Sequence, residues 1–321
     1  MAAPALRIPG LGAGGVDPPK LIVAALLLVV IVAGFFVSER FGTFRNFMNV
    51  LEQSAALGFV SLGLTLVVLV GGIDLSIGAV VTGAAVLLAG TVGANEALMV
   101  PMLVGVLAAG AAFGALNGLV SIRTGVDPLV VTIGSAALLT GFVLLYTLRP
   151  TGAVPIWFEE FAYGRLFGVP VAGLVMLLSF LAVGLFLHYT PLGRAVYAVG
   201  GSAEAARLAG IRVDRTIVAA FAASGFFAAL AGLYFASRTG IGDPRVGDPI
   251  TLAAITPVVV GGTVLGGGRG GVVGTLLGVL LISFLNNILN YMNVSTFLQW
   301  VIQGSIIILA VSLYVKRSDR L

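Results

Sequence analysis

The sequence predicts an all-α, polytopic membrane bundle of about ten spanning helices with both termini in the cytoplasm. Three observations carry this. Of the 321 residues, 59% are hydrophobic and only 9% are charged, against about 25% charged in ordinary soluble domains. The mean hydropathy is +1.13. Apolar stretches long enough to cross a bilayer follow one another with only short polar joints, so one membrane domain is expected where length alone would suggest two soluble ones. Arg, Lys or Asp at the centre of a spanning helix costs about 2.5 to 3.5 kcal/mol, and every charge can be placed in a joint or at a segment end.

Residues 1–19 are rich in Pro, Gly and Ala, with Arg7 as their one basic residue, and read as a flexible cytoplasmic tail. Residues 20–316 form the membrane domain, which includes a cytoplasmic loop at 188–215, and 317–321 form a short cytoplasmic tail. Leu21 to Val37 resembles a signal peptide in its apolarity, but no small-x-small cleavage site precedes Glu39 and Arg40, so a retained anchor is expected. A span needs about 20 apolar residues to cross about 30 Å of hydrocarbon. That rule selects ten segments, near 21–38, 54–72, 75–92, 98–120, 129–148, 168–187, 216–237, 250–266, 272–290 and 296–315. With the N-terminus inside, eleven of the 17 Lys and Arg residues face the cytoplasm, including Arg194, Arg207, Arg212 and Arg215 in one joint. The excess of positive charge supports this orientation. It also accounts for the net charge of +4 without nucleic acid as a partner. There is no cysteine, and the single histidine, His188, has no companions at ligand spacing, so metal and thiol chemistry are excluded.

Between spans two and three, Val70-Gly71-Gly72-Ile73-Asp74-Leu75-Ser76-Ile77-Gly78 places a carboxylate, a hydroxyl and three glycines where there is no room for a loop. Backbone freed by such glycines at membrane depth must be satisfied by protein or by a water-lined cavity. The expected role is a gate or pathway element with Asp74 at its centre and Ser76 beside it, since acids inside membranes are functional by default; a plain helix cap by Asp74 or Ser76 is the alternative. Val258 to Gly262 echoes Val68 to Gly72, a weak sign of internal duplication. Gly266, Gly268 and Gly271 match the G-x-G-x-x-G pattern, but both flanks are membrane spans rather than a strand-turn-helix unit, so a tight turn is expected. The only lysines are Lys20 and Lys316, and neither follows a glycine, so no nucleotide-hydrolysing loop exists in this chain.

Amides within the spans at Asn117, Asn286, Asn287 and Gln303 need hydrogen-bond partners, because an unpaired amide in hydrocarbon costs several kcal/mol. Interhelical bonds are one answer, and a polar path for a hydroxylated solute is the other. Glycines repeating every four residues, Gly110, Gly114 and Gly118 and again Gly270, Gly274 and Gly278, are expected to line helix faces where another backbone approaches. In the joint from His188 to Arg215, Ser202 suits a helix N-cap, Glu204 the first turn, Ala205 and Arg207 the body and Gly210 the stop. A short capped cytoplasmic helix of this kind suits insertion into a partner's groove.

These segments resemble the permease subunits of bacterial ABC importers for ribose and related monosaccharides, over residues of about 45 to 315. The resemblance rests on Gly71-Gly72-Ile73-Asp74-Leu75-Ser76-Ile77-Gly78, on Glu204-Ala205-Ala206-Arg207-Leu208-Ala209-Gly210-Ile211, and on Gly261-Gly262-Thr263 with the turn from Gly266 to Gly274. It implies a non-catalytic inner-membrane subunit that dimerises around a central path, receives solute from a periplasmic sugar-binding protein, and is driven by cytoplasmic ATPase subunits that bind the ATP and Mg. No cofactor is expected in this chain. Glu204 to Gly210 resembles the coupling helix of that family, and Asp74 falls in its gate or pathway region. The Pro and Gly-rich N-terminus departs from the family pattern. The alternative is a secondary transporter driven by an ion gradient, which would need intramembrane acids or a cation site, and Asp74 is the one acid deep enough to serve. A membrane enzyme would need paired catalytic groups, and none stand at useful spacing.

Overall fold

Alternating apolar segments and glycine-rich joints give a chain that is helical almost throughout. The computed structural model describes residues 18–93 and 95–318. Its helices are α1 (Pro18–Val37), α2 (Phe44–Leu69), α3 (Ile77–Val92), α4 (Met99–Thr124), α5 (Pro128–Tyr146) and the short α6 (Glu159–Tyr163). A two-stranded hairpin, β1 (Arg165–Leu166) and β2 (Val169–Pro170), precedes α7 (Val171–Tyr189), α8 (Pro191–Gly201) and α9 (Ala203–Leu208). The chain continues through α10 (Val213–Thr239), α11 (Ile250–Val260), α12 (Val272–Tyr291) and α13 (Thr296–Ser318). Of the expected N-terminal tail only Pro18 and Pro19 are described, and they open α1; of the C-terminal tail only Arg317 and Ser318 are, and they close α13.

Each of the ten apolar segments contains a helix. Among the described residues, seven helical stretches are long and apolar enough to cross a membrane, those of α1, α2, α4, α5, α7, α10 and α12. Two are shorter. At 1.5 Å per residue α3 reaches about 24 Å and α11 about 16 Å, so the eighth segment, expected to run to 266, stops short at Val260.

The reason lies in how α2 and α11 end. In α2 the Gly71 N–H donates to the Val68 carbonyl and the Gly72 N–H to the Val67 carbonyl, both at 3.0 Å, with Gly71 left-handed at φ 88°. In α11 the Gly262 N–H donates to Val259 and the Thr263 N–H to Val258, with Gly262 at φ 86°. Both are Schellman endings, which need a residue without a Cβ at the left-handed position. The two endings pair Gly71 with Gly262, one residue out of step with the echo in the sequence.

The centre of the bundle is α10, packed on by α2, α3 and α4, while α2 also carries α7, α11 and α12. Small residues permit this crowding. A methyl group at Gly114 would collide with the Phe221 carbonyl of α10; at Gly110 it would lie 2.6 Å from the Gly225 carbonyl oxygen, and at Gly118 3.2 Å from Phe221 Cβ. On α12, Gly278 meets the Pro257 carbonyl of α11 and Gly274 the Gly261 carbonyl just past its end, in the same way. Gly270 is the exception to the expected row. It precedes α12 at φ 121°, followed by Gly271 at φ 150°, and no helix accepts such angles. Without a hydrophobic drive between helices in lipid, close backbone approach of this kind supplies the packing energy.

Between α5 and α7 the chain folds back over the end of α10, where the Ser237 hydroxyl donates to the Phe158 carbonyl at 2.6 Å and accepts the Ala162 N–H at 3.0 Å. The hairpin turns through Phe167 and Gly168, at φ 51° and 84°, the two positive values a type I′ turn requires. Phe167 is 97% exposed at its tip.

Candidate translocation and coupling site

The break between α2 and α3 is held by side chains, since its own backbone has left the helix. Asp74 Oδ1 accepts the Ser76 N–H at 2.9 Å and the Ser76 hydroxyl at 2.6 Å, and Oδ2 accepts the Ser224 hydroxyl of α10 at 2.8 Å. Asn117 of α4 donates from Nδ2 to Ser76 Oγ at 2.9 Å. The break, α4 and α10 are therefore joined through one buried carboxylate, only 1% exposed. On the other side Thr132 of α5 accepts the Leu75 N–H at 3.1 Å, and its single hydroxyl proton faces both the Leu129 carbonyl at 3.1 Å and the Ile73 carbonyl at 3.3 Å. These bonds satisfy backbone groups that lipid would leave orphaned. Every donor to Asp74 is neutral, a backbone amide or a hydroxyl.

Of the residues the sequence singled out for this region, the structure brings Asp74, Ser76 and Asn117 together and leaves Asn286 and Asn287 elsewhere. Asn287 exchanges hydrogen bonds with Asn46 of α2, Nδ2 to Oδ1 in each direction at 3.0 and 3.1 Å. Asn286 Oδ1 accepts Gln303 Nε2 of α13 at 3.0 Å. Both amides are paired between helices, which is the first of the two readings the sequence allowed. Sequence reasoning missed Ser224 and Thr132. Each is a lone small hydroxyl in an apolar span, and nothing in the sequence distinguishes it from a packing residue.

The second break, residues 261–271, is a compact turn. The Val264 N–H donates to the Arg269 carbonyl at 3.0 Å, and Thr263 Oγ1, fully buried, accepts the Gly271 N–H at 3.3 Å. The Gly268 N–H crosses to the Leu69 carbonyl at the end of α2, at 3.0 Å. The two breaks thus touch, although they lie far apart in sequence.

Downstream of α7, Thr190 caps α8 by accepting the Gly193 N–H at 3.0 Å, with Pro191 at its first position. Ser202 then caps α9, accepting the Ala205 N–H at 3.2 Å. Glu204 lies in the first turn and Arg207 in the last, which suits the helix dipole. Gly210 closes the helix at φ 80°, where the Ile211 N–H reaches the Ala206 carbonyl at 3.0 Å. Only Ala206 is buried; Ser202, Glu204, Ala205, Arg207 and Gly210 are exposed, and Leu208 is 85% exposed. Arg207 pairs with Asp214 at 3.2 Å across open surface, a contact worth about 0 to 1 kcal/mol. The loop presents a short, capped and exposed helix.

A family model described as the permease component of branched-chain amino acid transport systems matches residues 46–311. The chain belongs to this permease family. The ribose import permease protein of Bacillus subtilis (strain 168) is 39% identical over 276 residues, covering 85% of each chain. That of Escherichia coli (strain K12) is 37% identical over 282 residues, 86% of this chain and 87% of the relative. The D-allose transport system permease protein of E. coli (strain K12) is 32% identical over 283 residues, 88% and 87% of the two chains. No solved structure matches the chain. Membership makes this a multi-pass inner-membrane permease and a non-catalytic subunit, in keeping with seven apolar helices of spanning length among the described residues.

Proposed function

We propose that this chain is the membrane subunit of an ATP-driven importer that moves a monosaccharide or related small polyol across the bacterial inner membrane by alternating access. The observation that carries the reading is the likeness, over more than four-fifths of the chain, to permeases named for ribose import and D-allose transport. In this scheme the membrane domain covers residues 20–316 and the ten apolar helices are ten spans, with α3 and α11 as shortened spans that end or begin at the two breaks. Both termini are cytoplasmic, as the bias of Lys and Arg favours. Two permease subunits enclose the path, a periplasmic sugar-binding protein delivers the solute, and separate ATPase subunits bind ATP and Mg.

The exposed α9, from Ser202 to Gly210, is the coupling helix, and it seats in a groove of the ATPase. Nucleotide-driven closure of the ATPase pair moves α9 and biases two packings of the spans, which is all a ligand can do to such an equilibrium. The first break, with Asp74, Ser76 and Asn117, is the gate. Replacing Glu204 and Arg207 together by Ala is expected to leave insertion and abundance in the membrane unchanged. Uptake of radiolabelled D-ribose and D-allose should then fall at least tenfold in cells that carry the ATPase and binding protein. Normal uptake by the double variant removes α9 from the mechanism, and uptake of neither sugar by the unsubstituted system removes D-ribose and D-allose as its substrates.

An ion-coupled transporter would need an acid open to an aqueous path. Asp74 is wrapped by three donors and 1% exposed, and this favours a structural clamp over an ion site.

A further inference from the structure

Where α8 ends, three backbones meet without side chains between them. A methyl group at Gly200 would collide with the Leu69 carbonyl, the last residue of α2, and with the Gly268 amide of the second break. Those two groups are themselves hydrogen-bonded, Gly268 N–H to Leu69 O at 3.0 Å. Gly267, at φ 87°, packs against Gly71 in the first break and the Gly200 carbonyl, each 2.9 Å from where its Cβ would stand. Tyr197, one turn back on α8, reaches the second break through its hydroxyl, which donates to the Gly270 carbonyl at 3.3 Å. The end of α8 is therefore wedged against both breaks, and Ser202 links it directly to α9.

We propose that Tyr197 and Gly200 are positioning residues that carry displacement of the coupling helix to both breaks at once. This rests on the reading of α9 above and extends it to a route. Backbone against backbone leaves no rotatable side chain to absorb a shift, and close-packed interiors pass strain rather than dissipate it. A displacement of α8 along its axis bears on Leu69 and Gly268 together. It thus acts on the first break, where Asp74 ties the chain to α4 and α10, and on the second, where Thr263 closes the turn. The two breaks then change state as a pair.

The test uses the importer complex reconstituted with its ATPase subunits in proteoliposomes. The chain has no cysteine of its own, so single reporter cysteines at Ile73 and Leu265, one in each break, are read by their maleimide labelling rates on the permease band. Rates are compared without nucleotide and after trapping with ATP and vanadate. Trapping should change the rate at both reporters. Tyr197→Phe keeps the ring and removes one hydrogen bond, and it is expected to shrink both changes about three- to tenfold, the range one net hydrogen bond supplies. ATP hydrolysis, assembly with the ATPase and thermal stability should stay near parental values. Gly200→Ala should abolish both changes if it folds.

Full response of both reporters in Tyr197→Phe overturns the proposal, as does a response lost at one break and kept at the other. So does the absence of any nucleotide-dependent change in the reporter complexes that keep Tyr197 and Gly200. If Glu204 and Arg207 prove dispensable, the reading of α9 has failed. If they are needed but Tyr197→Phe responds in full, only the junction has failed.

Discussion

Two hydroxyls buried to the same degree behave oppositely. Ser224 gives its proton to Asp74 at 2.8 Å, whereas Thr256 Oγ1 on α11 is the one buried side-chain polar atom among the described residues with no partner. A buried hydrogen bond contributes about 0.5 to 1.5 kcal/mol net, and a buried donor left unmade costs about 1 to 3 kcal/mol. Ser224→Ala should therefore lower the thermal midpoint in detergent and loosen the first break from α10. Thr256→Val, matched in shape, should hold or raise it. The pair is checked by thermal unfolding of the two variants side by side, and a destabilised Thr256→Val would mean that its hydroxyl does bond within the protein. The surface pair of Arg207 and Asp214, both well over half exposed, is expected to contribute little by comparison.

At the scale of helices, the crossing of α4 on α10 depends on which glycine is considered. Gly105 and Gly114 lie on the same helix, yet a methyl group at Gly105 meets nothing within 4 Å while one at Gly114 strikes the Phe221 carbonyl. Gly105→Ala should be neutral or stabilising by about 0.5 to 1 kcal/mol, since Gly carries that penalty inside a helix. Gly114→Ala should push the two backbones apart and cut the yield of folded protein severalfold, measured by size-exclusion profile after extraction. The glycines that end α2 and α11 act differently. Gly71 and Gly262 serve a left-handed turn, and any substitution there strains the backbone whatever the space around it.

For the whole molecule the decisive question is which face is inside. Phe167, at the tip of the hairpin between α5 and α7, and Leu208, at the end of α9, are each more than four-fifths exposed and should lie on opposite sides of the membrane. In a chain without native cysteine, Phe167→Cys should react with an impermeant maleimide in periplasm-accessible cells. Leu208→Cys should react only after permeabilisation. The reverse pattern would invert the topology and remove α9 from reach of any cytoplasmic ATPase.

The all-helical character, the ten apolar segments, the capped helix after Ser202 and the interruption at Gly71-Gly72 were legible in the residues alone. Each depends on local physics: hydropathy along a segment, a hydroxyl three residues before an amide, a glycine where φ turns positive. What only the tertiary structure decided is which faces meet. Asn287 bonds Asn46 of α2 and Asn286 bonds Gln303 of α13, so neither joins Asn117, while Ser224 becomes part of the Asp74 cluster because α10 passes through the centre. Gly270 looked like part of a helical row, and its neighbours turned it into a loop. The meeting of Gly200 with Leu69 and Gly268 joins three segments distant in sequence. Contacts of that kind follow from the relative placement of helices, which no short window of residues contains.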